Sequence, residues 1–317
     1  MEHNLALEFV RVTEAAAIAA AHWLGKGDKK AADKAAVDAM RSRFNSVDFD
    51  GEVVIGEGDK DEAPMLYIGE KIGTRKGPAI DIAVDPLEGT ELVAKGRANA
   101  IAVLAAGPKG SLLKAPGTYM DQIAVGPQAK GTIDITSPLK ENVGRVARAL
   151  HKSMSDVTVV VLERDRHKSI IDELRKIGCR IVLIEHGTVA AGLATAIPGS
   201  GIDMMVGWGG APEGVITAAG LKCLGGDFQG VLKPHEERYL KQAAAMGITD
   251  LNHVFTIDEL AHGDQLQFVA TGVSSGPFLK GVIFGDGIVT THSIVMRKRS
   301  GTTRFLTTIH RHEGEKR

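Results

Sequence analysis

Past residue 138 the chain alternates between two hydrophobic periods, and no other feature narrows its fold as far. "LKENVGRVARALHK", "RHKSIIDELRKIG", "TVAAGLATAIPG" and "PEGVITAAGLKCLG" set apolar residues at three- and four-residue steps, the spacing of amphipathic helices. Between them "DVTVVVLER", "RIVLIEHG" and "IDMMVGW" are short apolar runs, which read as buried strands. Strand, helix and strand in repetition predict βαβ units around a parallel sheet.

Ahead of that region, "LALEFVRVTEAAAIAAAHWLGKG" places Leu5, Phe9, Val12, Ala16 and Ala19 at helical steps. Its Glu8, Arg11, Glu14 and His22 are a charge density that neither a signal sequence nor a membrane span tolerates. "KKAADKAAVDAMRSRF" continues as a second helix. "GEVVIGEG" and "PAIDIAVDP" read as strands, and "APMLYIGEKIG" as a helix stopped by Gly73. "NAIAVLAAG" and "YMDQIAVGP" follow as strands, and strands with turns resume from "QFVATGVSSG" to "FLTTIH". The expectation is an α/β protein in two layers, 1–130 and 131–317, with a boundary that no linker marks.

A formal net charge of -1 and an aromatic content of 4% offer no basic surface with stacking residues, so neither nucleic acid nor an anionic membrane is expected as partner. Cys179 and Cys223 are the only cysteines and sit in apolar surroundings, which fits a reducing compartment. The cytoplasm is the expected location.

The chemistry is concentrated at glycine-rich ends of elements. "GDKKAAD" carries Asp28 and Asp33, and "IGEGDKDEAP" carries Glu57, Asp59, Asp61 and Glu62. "DPLEGT" adds Asp85 and Glu88, and "GGAPEG" adds Glu213. Hard divalent cations such as Mg²⁺ and Mn²⁺ take oxygen ligands. Carboxylates gathered from separate loops are the usual frame for metal-assisted phosphoryl chemistry. "EGT" opens a helix, where backbone N–H groups can receive a phosphate and Thr90 can bond an attacking water. Taken singly, each acid reads as a helix cap, a dipole partner or a solvated loop residue. The set together points to metal-dependent phosphate chemistry and no further.

The same stretches carry a resemblance. "AVDPLEGT" looks like the signature of the lithium-sensitive, Mg²⁺-dependent sugar phosphatases, which include inositol monophosphatases and fructose bisphosphatases. "GDKKAADKAAVDAMR", "VVIGEGDKDEAPMLYIGEKIG", "APGTYMDQIAVGP", "GGAPEGV" and "ATGV" extend it, nearly end to end, to the class II fructose-1,6-bisphosphatases of the bacterial GlpX type. The resemblance implies a layered α-β-α-β-α fold, a homo-oligomer (dimer or tetramer) and Mg²⁺ or Mn²⁺ dependence. It implies hydrolysis of the 1-phosphate of fructose 1,6-bisphosphate, a gluconeogenic step. By matching motif, Asp33 and Glu57 would ligate one metal, and Asp85, Glu88 and Glu213 the other. Thr90, helped by Asp61, would orient the nucleophilic water. Lys29, Glu88, Gly89, Thr90, Tyr119, Arg164, Asp165, Arg166 and Gly210 would hold substrate, the arginines by bidentate forks on phosphate.

Two departures bear on the substrate. Where the family reads Asp-Gly-Asp-Val, this chain has His186, Gly187, Thr188 and Val189, so two acceptor-only carboxylates become an imidazole and a hydroxyl. Asp165 stands where relatives often carry proline and could pair with a neighbouring arginine. These changes leave the expected metal set intact and keep two alternatives in view. One is a phosphatase for another phosphorylated sugar or polyol, such as sedoheptulose 1,7-bisphosphate or an inositol phosphate. The other is a non-catalytic phosphosugar-binding protein.

Overall fold

The structure is a computed structural model that describes residues 5–58 and 64–311. Asp59, Asp61 and Glu62 therefore lie outside the described residues. The chain is mixed α/β and divides into two compact units, one formed by 1–110 with 265–317 and the other by 111–264.

The first unit opens with helices α1 (Ala6–Ala21) and α2 (Lys29–Phe44). Asp28 caps α2 by accepting the Ala31 N–H at 2.9 Å, which accounts for one of the loop acids as a helix start. Strands β1 (Asp50–Ile55), β2 (Lys71–Ile72) and β3 (Ala79–Glu88) follow, then the short helix α3 (Thr90–Ala94) and strand β4 (Ile101–Pro108). The second unit comprises β5 (Tyr119–Val125), α4 (Leu139–Ala149), β6 (Thr158–Leu162), α5 (Lys168–Ile177), β7 (Arg180–Ile184), α6 (Thr188–Ala194) and β8 (Met204–Gly210). It continues through α7 (Ala211–Leu224), β9 (Asp227–Lys233), α8 (Glu237–Ala245), β10 (Phe255–Thr256) and α9 (Ile257–Leu260). The chain then returns to the first unit with β11 (Gln267–Gly272), β12 (Ile283–Phe284), β13 (Ile288–Arg297) and β14 (Thr302–Arg311).

In the first unit the strands run β12-β13-β11-β4-β3-β1-β2, with β14 paired to β13. Only β1 and β3 are parallel; their neighbours pair antiparallel. Helices α1 and α2 cover this sheet. Phe9, Phe44 and Phe49 are fully buried, with the Phe9 ring edge-on to Phe49 at 5.5 Å between centroids. Truncating such a ring costs about 3–5 kcal/mol, so Phe49 fixes the helices to the strands.

The second sheet runs β10-β9-β5-β8-β6-β7. The expected parallel arrangement is present where the alternation predicts it, in β7-β6-β8, and is flanked by antiparallel β5, β9 and β10. Val143, Val146, Val159, Val161 and Leu174 pack its core.

Two expectations change. The division does not fall at a single point near residue 130, because β11 pairs with β4 along Gln267↔Ala106 to Gly272↔Ile101 and ties the C-terminal strands to the first unit. "APMLYIGEKIG" is also not a helix: its described residues form turns leading into β2. Leu66 and Gly69 have positive φ, and the buried Glu70 carboxylate takes the Leu66 N–H and an Arg41 guanidinium N–H at 2.5 Å. That side-chain bracket satisfies the turn's backbone in place of a helical ladder.

Candidate functional site

In the first unit the parallel register sets two acids side by side. Ile55 pairs with Ala83, so Glu57 and Asp85 each stand two residues beyond at the same end of adjacent strands. A register shift between Asp85 and Glu88 breaks the β3–β4 ladder there. Asp85 Oδ1 accepts the Leu87 N–H at 3.1 Å, and Glu88 is only 5% exposed. Gly89 then turns the chain with φ 91°, a conformation that suits glycine, and starts α3. Thr90 is its first residue and is half-buried, and its hydroxyl makes no hydrogen bond among the described residues. Helix α2 packs against β3 and α3. Lys29 at its start meets Glu91 at 3.2 Å, beside the Glu88-Gly89-Thr90 turn. Asp33, one turn further along α2, is half-buried, and burial raises its carboxyl pKa.

In the second unit the expected substrate residues form a connected group. Tyr119 opens β5 and pairs with Gly210, the last residue of β8. The Arg166 guanidinium lies 4.5 Å from the centre of the Tyr119 ring, a cation–π arrangement, and donates to Trp208 O at 3.1 Å. Its Nε is buried without a partner. Gln122 donates to Gly210 O at 2.9 Å. Arg164 Nη2 donates to Glu185 O and stands 3.4 Å from the His186 ring nitrogens, so the departing turn adjoins this arginine. Gly187, with φ 96°, caps α6, and Thr188 at its start lies against Gly209. Asp165 is exposed, and among the described residues it forms no ion pair with Arg164 or Arg166, a pairing that its position allowed.

Glu213 is the expected metal-site acid of the second unit. It sits in the first turn of α7, after Gly210 and Pro212, and is half-buried, with its Oε2 atom buried. Its Oε2 has no hydrogen-bond partner, and desolvation pushes its pKa up. A Cβ at Gly210 would overlap that same oxygen, so only glycine leaves the carboxylate its place.

Asp33, Glu57, Asp85, Glu88, Lys29 and Thr90 thus belong to the first unit, and Glu213 belongs to the second with Tyr119, Arg164, Arg166, His186, Thr188 and Gly210. Among the described residues no three His, Cys, Asp or Glu side chains are close enough together to hold a metal ion, and Asp61 is outside that set.

His167 is a residue the sequence reading passed over. It is fully buried; its Nδ1 donates to Leu162 O at 2.8 Å, and its Nε2 accepts the Trp208 N–H at 2.8 Å. Accepting at Nε2 fixes the neutral Nδ1–H form, and burial lowers its pKa. The imidazole therefore ties the Arg166 turn to the end of β8 from beneath. A histidine directly after the two arginines was the only signal available.

A family model described as bacterial fructose-1,6-bisphosphatase, glpX-encoded, matches residues 3–310. The chain is 47% identical over 323 residues to Fructose-1,6-bisphosphatase 1 class 2 of Escherichia coli (strain K12), covering 98% of this chain and 96% of that protein. It is 45% identical to Fructose-1,6-bisphosphatase class 2 of Haemophilus influenzae, covering 98% and 97%. Family profile and relatives agree along the whole length, and the chain belongs to the bacterial, glpX-encoded fructose-1,6-bisphosphatase family.

Proposed function

We propose that this chain hydrolyses the 1-phosphate of fructose 1,6-bisphosphate to fructose 6-phosphate and inorganic phosphate. It is a phosphoric monoester hydrolase that acts in gluconeogenesis, in the cytoplasm, as a homo-oligomer. Family membership supports the reaction. The observation that carries the site is Glu213, a half-buried carboxylate with one buried, unpartnered oxygen. An ionised carboxylate in that position needs a counter-charge, and a divalent cation fits it better than any side chain nearby.

The donor set is all oxygen, which suits Mg²⁺ or Mn²⁺. By the family's motifs, Asp33 and Glu57 would hold one metal, and Asp85, Glu88 and Glu213 the other. When bound, they supply a Lewis acid for phosphate and an acidified water. Thr90, with Asp61, orients the water oxygen that bonds to phosphorus as the phosphorus–oxygen bond to C1 breaks, and the leaving oxygen takes up a proton. Arg164, Arg166, Lys29 and the Glu88-Gly89-Thr90 turn bind and orient the substrate, and Tyr119 and Gly210 form its wall. Phosphate release from fructose 1,6-bisphosphate, with and without Mn²⁺, tests this. Activity that survives exhaustive chelation, or turnover of an inositol phosphate alone, would overturn it.

The turn at His186 and Thr188 favours one refinement, since it adjoins Arg164 and Gly209. Restoring carboxylates with His186→Asp and Thr188→Asp shifts the kcat/KM ratio between fructose 1,6- and sedoheptulose 1,7-bisphosphate and leaves metal dependence unchanged. An unaltered ratio would make the turn a surface variation.

A further inference from the structure

Strands β3, β4, β11 and β13 lie side by side, and their register sets one group of side chains together near the end of the sheet. Ile80 pairs with Pro108, Ala106 with Gln267, and Gln267 with Arg297. Side chains alternate along a strand, so these five residues share one face. Further along that face Ile82, Leu104, Val269 and Val295 pack into the core with Phe9 and Val12 of α1. Beyond the helix start at Ala6, β4, β11 and β13 carry Ala106, Gln267 and Arg297 instead, and no large apolar side chain fills the place. What is left is a cavity of about 370 Å³, walled by Leu5, Ile80, Ala106 and Leu266 with Gln267 and Arg297. Small-molecule sites usually measure about 300–1,000 Å³.

Two polar groups in this wall lack partners. Gln267 Oε1 is buried without a hydrogen bond. The Arg297 guanidinium is half-buried and has neither hydrogen bond nor ion pair among the described residues. A buried acceptor without a partner is uncommon in a folded protein and calls for a donor from outside the chain. An unpaired guanidinium calls for an anion, and a carboxylate matches its fork. The rest of the wall is mostly apolar, which disfavours a ligand with many hydroxyls, because each would lose its water without a bond in return. Ile80 lies five residues ahead of Asp85 on β3, about 17 Å along the strand, so an occupant stands clear of the acids at the β3–α3 corner.

We propose that this cavity is a second ligand site, for a small organic monoanion. The ligand has an apolar body, one carboxylate for Arg297, and one O–H or N–H donor for Gln267 Oε1. A sugar phosphate is the wrong occupant, so the site differs in chemistry from the one proposed for catalysis, and its test does not depend on activity.

Indole-3-acetate is the probe, because it carries all three features and is small enough for the cavity. Titration calorimetry of the full chain should show one site per chain with a Kd of about a millimolar or tighter, ordinary for a ligand of this size. Indole-3-acetamide lacks the charge and 1-methylindole-3-acetate lacks the donor; each should bind about tenfold more weakly or worse. Arg297→Gln should remove the preference for acid over amide, and Gln267→Leu the preference for N–H over N-methyl. Ala106→Leu fills the cavity and should abolish binding; where it lowers the melting temperature, the two polar variants decide. Inorganic phosphate, a ligand for the proposed catalytic arginines, should leave the affinity for indole-3-acetate unchanged. The proposal is overturned by a parent that shows no binding at about ten times the expected Kd. It is equally overturned by equal affinity for acid and amide, by displacement with phosphate, or by an acid preference that survives Arg297→Gln.

Discussion

Two strand-to-helix corners carry the acids of this protein, and they are built in opposite ways. At the β3–α3 corner, Asp85 bonds a backbone N–H, Glu88 has a partner, and the turn needs the left-handed Gly89. At the β8–α7 corner, Gly210 has an ordinary φ of −69°, and the glycine is needed for space instead, because Glu213 fills the position of its missing Cβ. Helix α3 is a single short turn, whereas α7 runs fourteen residues with an apolar circumference and a Gly225 stop. The first corner is a self-satisfied scaffold presenting a hydroxyl. The second spends stability on one uncompensated carboxylate. A half-buried carboxyl whose Oε2 has no partner, on a rigid helix, leaves an acceptor open at that corner.

Substitution of the two carboxylates gives the widest expected contrast. Glu213→Gln should lower kcat by about a thousandfold or more, the scale of several kcal/mol at a metal-assisted transition state. The same change should raise the melting temperature of the metal-free protein, because it replaces a carboxyl whose ionised form burial disfavours with a neutral amide. Glu88→Gln should also impair turnover but lower the metal-free melting temperature, since it breaks an existing contact. Equal shifts of the same sign in both variants would erase the distinction between the corners.

Thr90→Ala should reduce kcat roughly a hundredfold with little change in KM, and Thr90→Ser should recover part of the rate. A KM effect alone would make Thr90 a binding residue. The two glycines sharpen the comparison further. Gly89→Ala forces a side chain into the left-handed region, with its Cβ 2.9 Å from Leu92 Cδ1, and should cost about 1–2 kcal/mol of stability. Gly210→Ala should leave the backbone unstrained and act through Glu213, weakening metal-dependent activity more than it lowers the melting temperature.

The smallest effect concerns pH. Burial holds the His167 pKa below its ordinary value, so the unfolded chain takes up this proton first. Its stabilising contribution is intact above about pH 6.5 and is lost as pH falls from there towards the folded-state pKa. His167→Gln should flatten the melting temperature between pH 7.5 and 5, and an unchanged slope would remove His167 as the source.

Much of the architecture was legible because periodicity is local. The alternation past residue 138 predicted β6, β7 and β8 with their helices, and "AIDIAVDPLEGT" read as strand then helix. What failed depended on distant partners. The turn at Leu66 rests on Arg41 and Glu70, and no spacing within "APMLYIGEKIG" reveals that bracket. The two-part division was misplaced because strand pairing between β4 and β11 joins residues more than half the chain apart. Of the candidate site, the grouping of Arg166, Tyr119 and Gly210 follows from motif order. The buried Oε2 of Glu213 and the support from His167 do not, since burial is a property of the packed molecule.

The pairing of β4 with β11 also sets a timetable for synthesis. At about 5–20 residues per second, the stretch from 110 to 265 takes roughly 8–30 s to leave the ribosome. Throughout that interval the nascent β4 has an open side, while the unit spanning 111–264 already holds all of its own strands as soon as it emerges. The middle of the protein can therefore mature before its beginning does. A ribosome stalled short of residue 272 would carry one finished unit and one exposed strand edge, the state in which chaperone capture has most to protect.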